Sequence, residues 1–155
     1  MDVPVSQQVS RSNLRQGVAF MLVGLVWGMA IPATSFPPLA LGAHIQLTGS
    51  GLMFLVAGLV ISHLGLGDGR FERRILIAGP WLTWPMVLSE MANAWWGTRK
   101  MLQIAGQQAG APGAAAWQEG LVTVAHLIGA VVVLVYWGTI LRGLFARPKF
   151  PAVAA

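Results

Sequence analysis

Apolar residues along this chain are gathered into four long runs, and the polar residues lie mostly between them. The runs cover residues 17–36, 45–66, 75–97 and 120–141. A helix of about 20 apolar residues crosses the hydrocarbon core of a bilayer. The third run contains Pro80, Pro85 and Glu90, which predicts a kinked helix whose freed carbonyl groups are covered by neighbouring helices. The pattern therefore predicts an all-α, integral membrane four-helix bundle.

The composition supports a membrane protein. Of the 155 residues, 55% are hydrophobic and 10% are charged, and the mean hydropathy is +0.66, whereas soluble domains carry about 25% charged residues. There is no cysteine, which excludes disulfides, iron–sulfur clusters and thiolate ligands. The sequence pI of about 11.2 is compatible with nucleic-acid binding, but the basic residues lie in the gaps between apolar runs. We therefore expect membrane lipid, and no nucleic acid, as the partner.

The distribution of basic residues predicts the orientation of the bundle. One side has eight, namely Arg11, Arg15, Arg70, Arg73, Arg74, Arg142, Arg147 and Lys149, and the other side has Arg99 and Lys100. Cytoplasmic loops carry the excess of Lys and Arg, so both termini are expected in the cytoplasm of a multi-pass protein of a bacterial-type inner (plasma) membrane. The first run is long and is expected to remain as an anchor. The prediction is a single four-span domain over 1–155, with an external loop at 98–119 and a cytoplasmic tail at 143–155.

With this topology, polar residues of three different spans lie at one outer level of the bilayer. They are His44, Gln46, Thr48 and Ser50 of the second span, Glu90 and Asn93 of the third, and Gln118, Glu119 and His126 of the fourth. His63 lies at the opposite end. Ionisable groups within a membrane are costly and usually face a cavity, a partner or a ligand. This convergence predicts a functional site in the outer half.

His44 has two interpretations from its position. It either caps the start of the second span at the interface or holds a ligand. His44, Thr48 and Gly51 are spaced i, i+4 and i+7 and so share one helical face. The absence of a side chain at Gly51 leaves room for a flat ligand or for a neighbouring helix.

Glu90 and His126 are also open to two interpretations each. Glu90 forms a structural contact, with Arg99, Lys100 or a histidine, or it is a buried acid that exchanges a proton with substrate. His126 is a hydrogen-bonded buried histidine or a second ligand. The histidines and carboxylates have no local zinc-ligand spacing. A haem needs only one or two axial ligands, so the residues permit a haem.

Four segments resemble a known family. They are "GLVWGMAIPA" (24–33), "AHIQLTGSGLMFLVAGLVISHLGL" (43–66), "ANAWWG" (92–97) and "IAGQQAGAPGAAAWQEGLV" (104–122). Together they resemble the small four-helix membrane isomerases that include styrene oxide isomerase and hydroxylaminobenzene mutase. A histidine at the start of the second span, followed seven residues later by a glycine, is the shared core, here His44 and Gly51.

The resemblance implies a homotrimer that encloses haem b near its interfaces, with ferric iron as a Lewis acid. Carried over, the axial ligand is His44. Thr48 and Gly51, which share its helical face by spacing, are the further candidates for binding the haem. The epoxide enzymes also use an asparagine, an aspartate and a tyrosine. An ungapped comparison aligns these with Ser50, Trp81 and Ser89, so none of the three roles transfers.

The stretches "LVWGMAIPA" and "WQEGLV" are more similar to hydroxylaminobenzene mutase. We therefore predict a haem-b-dependent membrane isomerase that converts a small aromatic substrate, a hydroxylaminoarene, to a 2-aminophenol. Glu90, Asn93 and Ser50 are the candidates for positioning or proton transfer. The alternatives are a styrene-oxide-type epoxide isomerase, a non-enzymatic membrane haem protein and a haem-free structural membrane subunit.

Overall fold

A computed structural model describes residues 3–146 and consists of helices and the turns between them. The helices are α1 (Val5–Ala30), a 3-10 turn (Ile31–Ala33), α2 (Pro37–Leu64), α3 (Arg70–Trp96), α4 (Gln103–Gln108) and α5 (Ala116–Ala146). The four long ones are long and apolar enough to cross a membrane. The all-α four-helix prediction is confirmed. Because the chain traverses the bundle four times, both described ends lie on one side, which we call the terminal side; the other is the far side.

The helices differ from the predicted spans at several ends. The first run was expected to continue to residue 36, but α1 ends at Ala30 and a 3-10 turn follows, because Pro32 has no N–H to continue the α-helical hydrogen bonds. Pro37 opens α2 at a position that suits proline, so α2 begins eight residues before the predicted span. The predicted loop at 98–119 contains α4 and the start of α5. Of the predicted tail, residues up to Ala146 continue α5, and 147–155, with Arg147 and Lys149, lie outside the described residues.

Glycines set the close packing of α1 against α2. A Cβ added at Gly17 would lie 2.9 Å from the carbonyl oxygen of Gly51, and one added at Gly51 would lie 2.9 Å from that of Gly17. Such mutual approach of backbones is typical of membrane helices. Gly79 of α3 likewise accommodates the ring of Tyr136 of α5. Large apolar side chains point outward, for example Met29, Leu134 and Phe145, as a surface in contact with lipid requires.

α3 is continuous through both of its prolines. Pro80 has no N–H, so the carbonyl oxygen of Leu76 loses its normal helical donor. The side-chain amide of Asn13 in α1 donates to that oxygen at 2.9 Å. A neighbouring helix therefore covers this freed carbonyl, as expected from the sequence.

Candidate functional site

His44 lies within α2 and its ring is directed at α1. It is the eighth residue of that helix, about two turns from its start, so the interpretation of His44 as an interfacial cap is wrong. A Cβ added at Gly28 would lie 3.0 Å from both Cε1 and Nδ1 of the His44 ring. Gly28 therefore provides the space that the ring occupies between the two helices.

The hydrogen bond of His44 determines which ring nitrogen is free. Nδ1 lies 2.8 Å from the carbonyl oxygen of Gly24. Because a carbonyl only accepts, Nδ1 is the donor, and in the neutral imidazole Nε2 then has the lone pair. Metal-bound histidines are commonly oriented in this way by a carbonyl on the other ring nitrogen. His44 is half-buried and next to the exposed side chains of Leu41 and Ile45, so the ring lies close to the lipid-facing surface.

Thr48 and Gly51 share the side of α2 that faces α1. The Thr48 hydroxyl donates to the carbonyl oxygen of His44 at 2.9 Å, and its methyl group is the nearest atom to a Cβ added at Gly24. Gly51 is covered by Gly17 and Met21 of α1. Of the two interpretations of Gly51, helix packing therefore describes its position, and Thr48 is the nearer neighbour of the histidine.

Glu90 of α3 and His126 of α5 form a second cluster of polar side chains. Glu90 is 5% exposed and His126 is 9% exposed. Oε2 of Glu90 lies 4.0 Å from Nε2 of His126 and has no hydrogen-bond partner among the described residues. Oε1 of Glu90 lies beside Gly42 of α2, where an added Cβ would be 3.0 Å away. Arg99, Lys100 and a histidine were the contacts expected for Glu90 from the sequence. In the structure, the residue near its carboxyl group is a histidine, His126.

The other two candidates, Ser50 and Asn93, are both buried. Asn93 closes the turn after α3: its Oδ1 accepts from the N–H of Thr98 at 2.7 Å, and its Nδ2 lies 3.5 Å from the carbonyl oxygen of Thr98. Both polar atoms of its amide are thus engaged by one backbone. Glu90 is the one of the three candidates with an unpaired buried polar atom.

His44 and Glu90 are near the same end of the bundle but on different sides of α2. The ring of His44 contacts Gly28 of α1, whereas Glu90 contacts Gly42. Positions 42 and 44 are about 160° apart around a helix. Within one chain, the two groups that the sequence placed at one level are therefore separated by α2.

The carboxylate of Glu119 holds the far-side connections together. Its two oxygens accept from the N–H groups of Arg99 at 3.1 Å, Lys100 at 3.0 Å and Ala114 at 3.3 Å. Gln118 accepts from the N–H of Ala115 at 3.0 Å, as a side chain in the first helical turn often does. These two residues organise the loop around the start of α5.

The described part of the chain has no group of three or more histidine, aspartate or glutamate side chains that could hold a metal ion. A cofactor that needs one protein ligand remains compatible with His44 and its free Nε2. Gly24, Gly28 and Gly42, which shape the surroundings of His44 and Glu90, were not singled out from the sequence. The i, i+4 spacing of Gly24 and Gly28, typical of close helix contacts, was the available signal for the first two.

Comparisons with known proteins agree on one family. The family model described as styrene oxide isomerase matches residues 9–145. Hydroxylaminobenzene mutase HabB of Ectopseudomonas oleovorans is 30% identical over 142 residues, which are 90% of this chain and 84% of that protein. Hydroxylaminobenzene mutase HabA of the same organism is 30% identical over 91 residues, 57% of this chain and 66% of that protein. No solved structure gives a significant match.

Proposed function

The chain belongs to the styrene oxide isomerase family, and we propose that it is a haem-b-dependent membrane isomerase that converts a hydroxylaminoarene to a 2-aminophenol. That it is an isomerase follows from the family. The mutase reaction is favoured by HabB, whose similarity extends over 90% of this chain. The observation that supports the cofactor is the free Nε2 of His44, with Nδ1 bound to Gly24.

The donor set around His44 fits a haem with one protein ligand. Nε2 of His44 would bind the iron, the carbonyl of Gly24 fixes the ring, and Gly28 leaves space for it. Thr48 lies one turn away on the same side of α2. When bound, haem would supply a Lewis acid that stabilises charge as the N–O bond breaks. The apolar surface beside His44 suits a planar, apolar group, and we propose that copies of the chain, in a homotrimer, meet there.

The reaction balances without an added oxidant or reductant. The N–O bond of the hydroxylamine breaks, a C–O bond forms at the ortho carbon, that carbon loses its proton, and the nitrogen gains one. The protein therefore has to donate one proton and accept one. Glu90 is the group that we propose for this exchange, because it is ionisable, buried at membrane depth and has an unpaired oxygen. Ser50 and Asn93 are proposed to position the substrate.

The cofactor is tested by the visible spectrum of the protein purified in detergent. We expect a Soret band in the wild type and its loss in His44→Ala, with His63→Ala as the control that retains it. A wild type without a Soret band after supplementation with haem would contradict the proposal. A band unchanged in His44→Ala would transfer the ligand role to another histidine.

Turnover assays distinguish the mutase from the second candidate, an epoxide isomerase, which the family description favours. The purified protein is given phenylhydroxylamine in one assay and styrene oxide in the other. Formation of 2-aminophenol supports the proposed reaction, and formation of phenylacetaldehyde alone supports the epoxide isomerase. Ser50, Trp81 and Ser89, at the ungapped positions of the epoxide enzymes' polar residues, favour the first outcome.

A further inference from the structure

One ionisable group in the described part of the chain has a buried atom without a partner. Three buried side-chain atoms among residues 3–146 have no hydrogen-bond partner, and they belong to Glu90, Thr98 and Trp137. The last two are a neutral hydroxyl and a neutral indole. An unpaired carboxyl oxygen is the most costly of the three to bury, so Glu90 requires an explanation beyond packing.

The nearest basic group to Glu90 is His126, and its orientation is fixed. Nδ1 of His126 lies 2.8 Å from the carbonyl oxygen of Val122, one turn earlier in α5. Because that carbonyl only accepts, Nδ1 is the donor, and in the neutral imidazole Nε2 then presents its lone pair. Nε2 is also the atom that faces Oε2 of Glu90, at 4.0 Å. A carboxyl and a lone pair thus point at each other.

The separation is too long for a direct hydrogen bond and must close by about 1 Å to form one. The other neighbours do not compete for the carboxyl. Gly42 presents no side chain from α2, and the hydroxyl of Ser89 donates to the carbonyl of Met86. Neither Arg99 nor Lys100, the charged residues of the connection after α3, forms an ion pair with Glu90 in the described part of the chain, and Nε of Arg99 lies 3.7 Å from a Cβ added at Gly113 of the far-side loop.

We propose that Glu90 and His126 share one proton and form the proton donor–acceptor pair of this isomerase. The role of the pair in catalysis rests on the proposed function, whereas the sharing of a proton between Glu90 and His126 rests on their geometry. Glu90 transfers the proton, and His126 is a positioning residue that acts through Glu90. Movement of the proton between the two groups leaves the charge of the pair unchanged.

A pair that holds one proton suits an isomerisation. The reaction consumes one proton at the nitrogen and releases one from the ring carbon, so no net proton enters or leaves. A group that donates in one step must accept in the other. The imidazole of His126 stabilises Glu90 in either state, since its Nε2 accepts from the carboxylic acid and, once protonated, donates to the carboxylate.

The sharing is tested by spectroscopy on the full-length protein in detergent, without any substrate. Infrared spectra report the carbonyl stretch of a protonated carboxyl, and nitrogen-15 NMR reports the His126 ring. We expect Glu90→Gln to change the His126 ring signals and His126→Gln to shift or remove the band that Glu90→Gln abolishes. If each variant leaves the partner's signal unchanged, proton sharing is excluded.

Two matched controls remove neighbouring hydroxyls without touching the pair. Ser89→Ala removes the hydroxyl next to Glu90, and Thr123→Val removes one that bonds its own helix, as His126 does. Both controls should leave the two signals in place. Signals that change equally in the controls would show that the response is general to this region, and the proposed pairing would be overturned.

Turnover measurements distinguish a failure of proton sharing from a failure of the proposed isomerase function. With phenylhydroxylamine, Glu90→Gln and His126→Gln should each lower kcat by about 100-fold, the low end for acid–base groups, and the double variant should lose no more than the worse single variant. Full kcat in His126→Gln would overturn its positioning role. A wild type inactive on both substrates, with spectral coupling intact, would contradict the proposed function and leave proton sharing in place.

Discussion

Two buried polar clusters lie at opposite ends of the same bundle and differ in how their atoms are paired. On the terminal side, Tyr136 donates to Oδ1 of Asn13 at 2.6 Å, and Nδ2 of Asn13 donates to the carbonyls of Val9 and Leu76, each at 2.9 Å. On the far side, Oε2 of Glu90 lies 4.0 Å from Nε2 of His126 and has no hydrogen-bond partner among the described residues. We call these the Asn13 cluster and the Glu90 pair.

This difference in pairing indicates a structural role for the Asn13 cluster and a functional role for the Glu90 pair. The Asn13 cluster uses every donor of its amide and links α1, α3 and α5 where Pro80 removes a backbone hydrogen bond. Satisfied buried networks stabilise a fold, whereas incompletely satisfied ones are costly. A group such as the Glu90 pair persists where the unpaired atom has a task. Stability should therefore depend on the first cluster and turnover on the second.

The largest effect on stability is expected from Asn13→Leu. It leaves the carbonyl of Leu76 and the hydroxyl of Tyr136 without partners, and we expect the free energy of unfolding in detergent to fall by about 3 kcal/mol. Pro80→Ala provides the matched background, because residue 80 then has an N–H for the carbonyl of Leu76. Asn13→Leu should cost measurably less there. An equal loss in both backgrounds would show that Asn13 does not compensate for the proline.

The next largest effect is expected at the ring of His44. Gly28→Ala adds a Cβ at 3.0 Å from the ring, which moves the imidazole away from its bond to Gly24. We expect haem affinity, measured by titration of the Soret band, to fall about tenfold, the low end for changes around a metal ligand. Gly49→Ala is the control, since nothing lies within 4 Å of its added Cβ. Equal affinities in the two variants would contradict the assignment of Gly28 as the space for the ring.

The four spanning helices could be predicted from the sequence, because a run of about 20 apolar residues indicates a helix that crosses the membrane. The sequence also predicted that Glu90, Asn93, His126 and His44 lie toward one end, which follows from counting spans. It did not predict that α2 separates His44 from Glu90, since rotation about a helix axis depends on which neighbour packs on each side. That information lies in the glycines at 28 and 42, and nothing in the sequence indicates their partners.

The Asn13 cluster was also missed, for a related reason. The sequence predicted that the prolines of α3 would need cover for their freed carbonyls, but the donor is 63 residues from Leu76. Asn13 lies just before the first apolar run, where a polar residue is unremarkable. Long-range pairing of this kind is determined by packing, and one sequence contains no direct signal for it.

A smaller effect, at the Glu90 pair, is expected from Gly42→Ala. The added Cβ would lie 3.0 Å from Oε1 of Glu90, so the carboxyl has to shift by a few tenths of an ångström. We expect kcat to fall about threefold, since larger displacements of about 1 Å cost far more. Gly49→Ala of the same helix controls for the general effect of alanine in α2. A kcat equal to that of the control would show that the exact position of the carboxyl is unimportant for turnover.

The smallest change, and the one that tests the comparison most directly, is the stability of Glu90→Leu. Burying a carboxyl oxygen without a partner is costly, and an apolar side chain removes that cost, while His126 loses only a contact at 4.0 Å. We therefore expect the free energy of unfolding to change by less than about 1 kcal/mol. Asn13→Leu introduces the same residue into the Asn13 cluster and provides the reference. Both variants bury a leucine between helices, so their difference reports the pairing that each polar residue had. If Glu90→Leu destabilised the bundle as much as Asn13→Leu, Glu90 would be a structural residue, and the unpaired oxygen would no longer indicate a role in turnover.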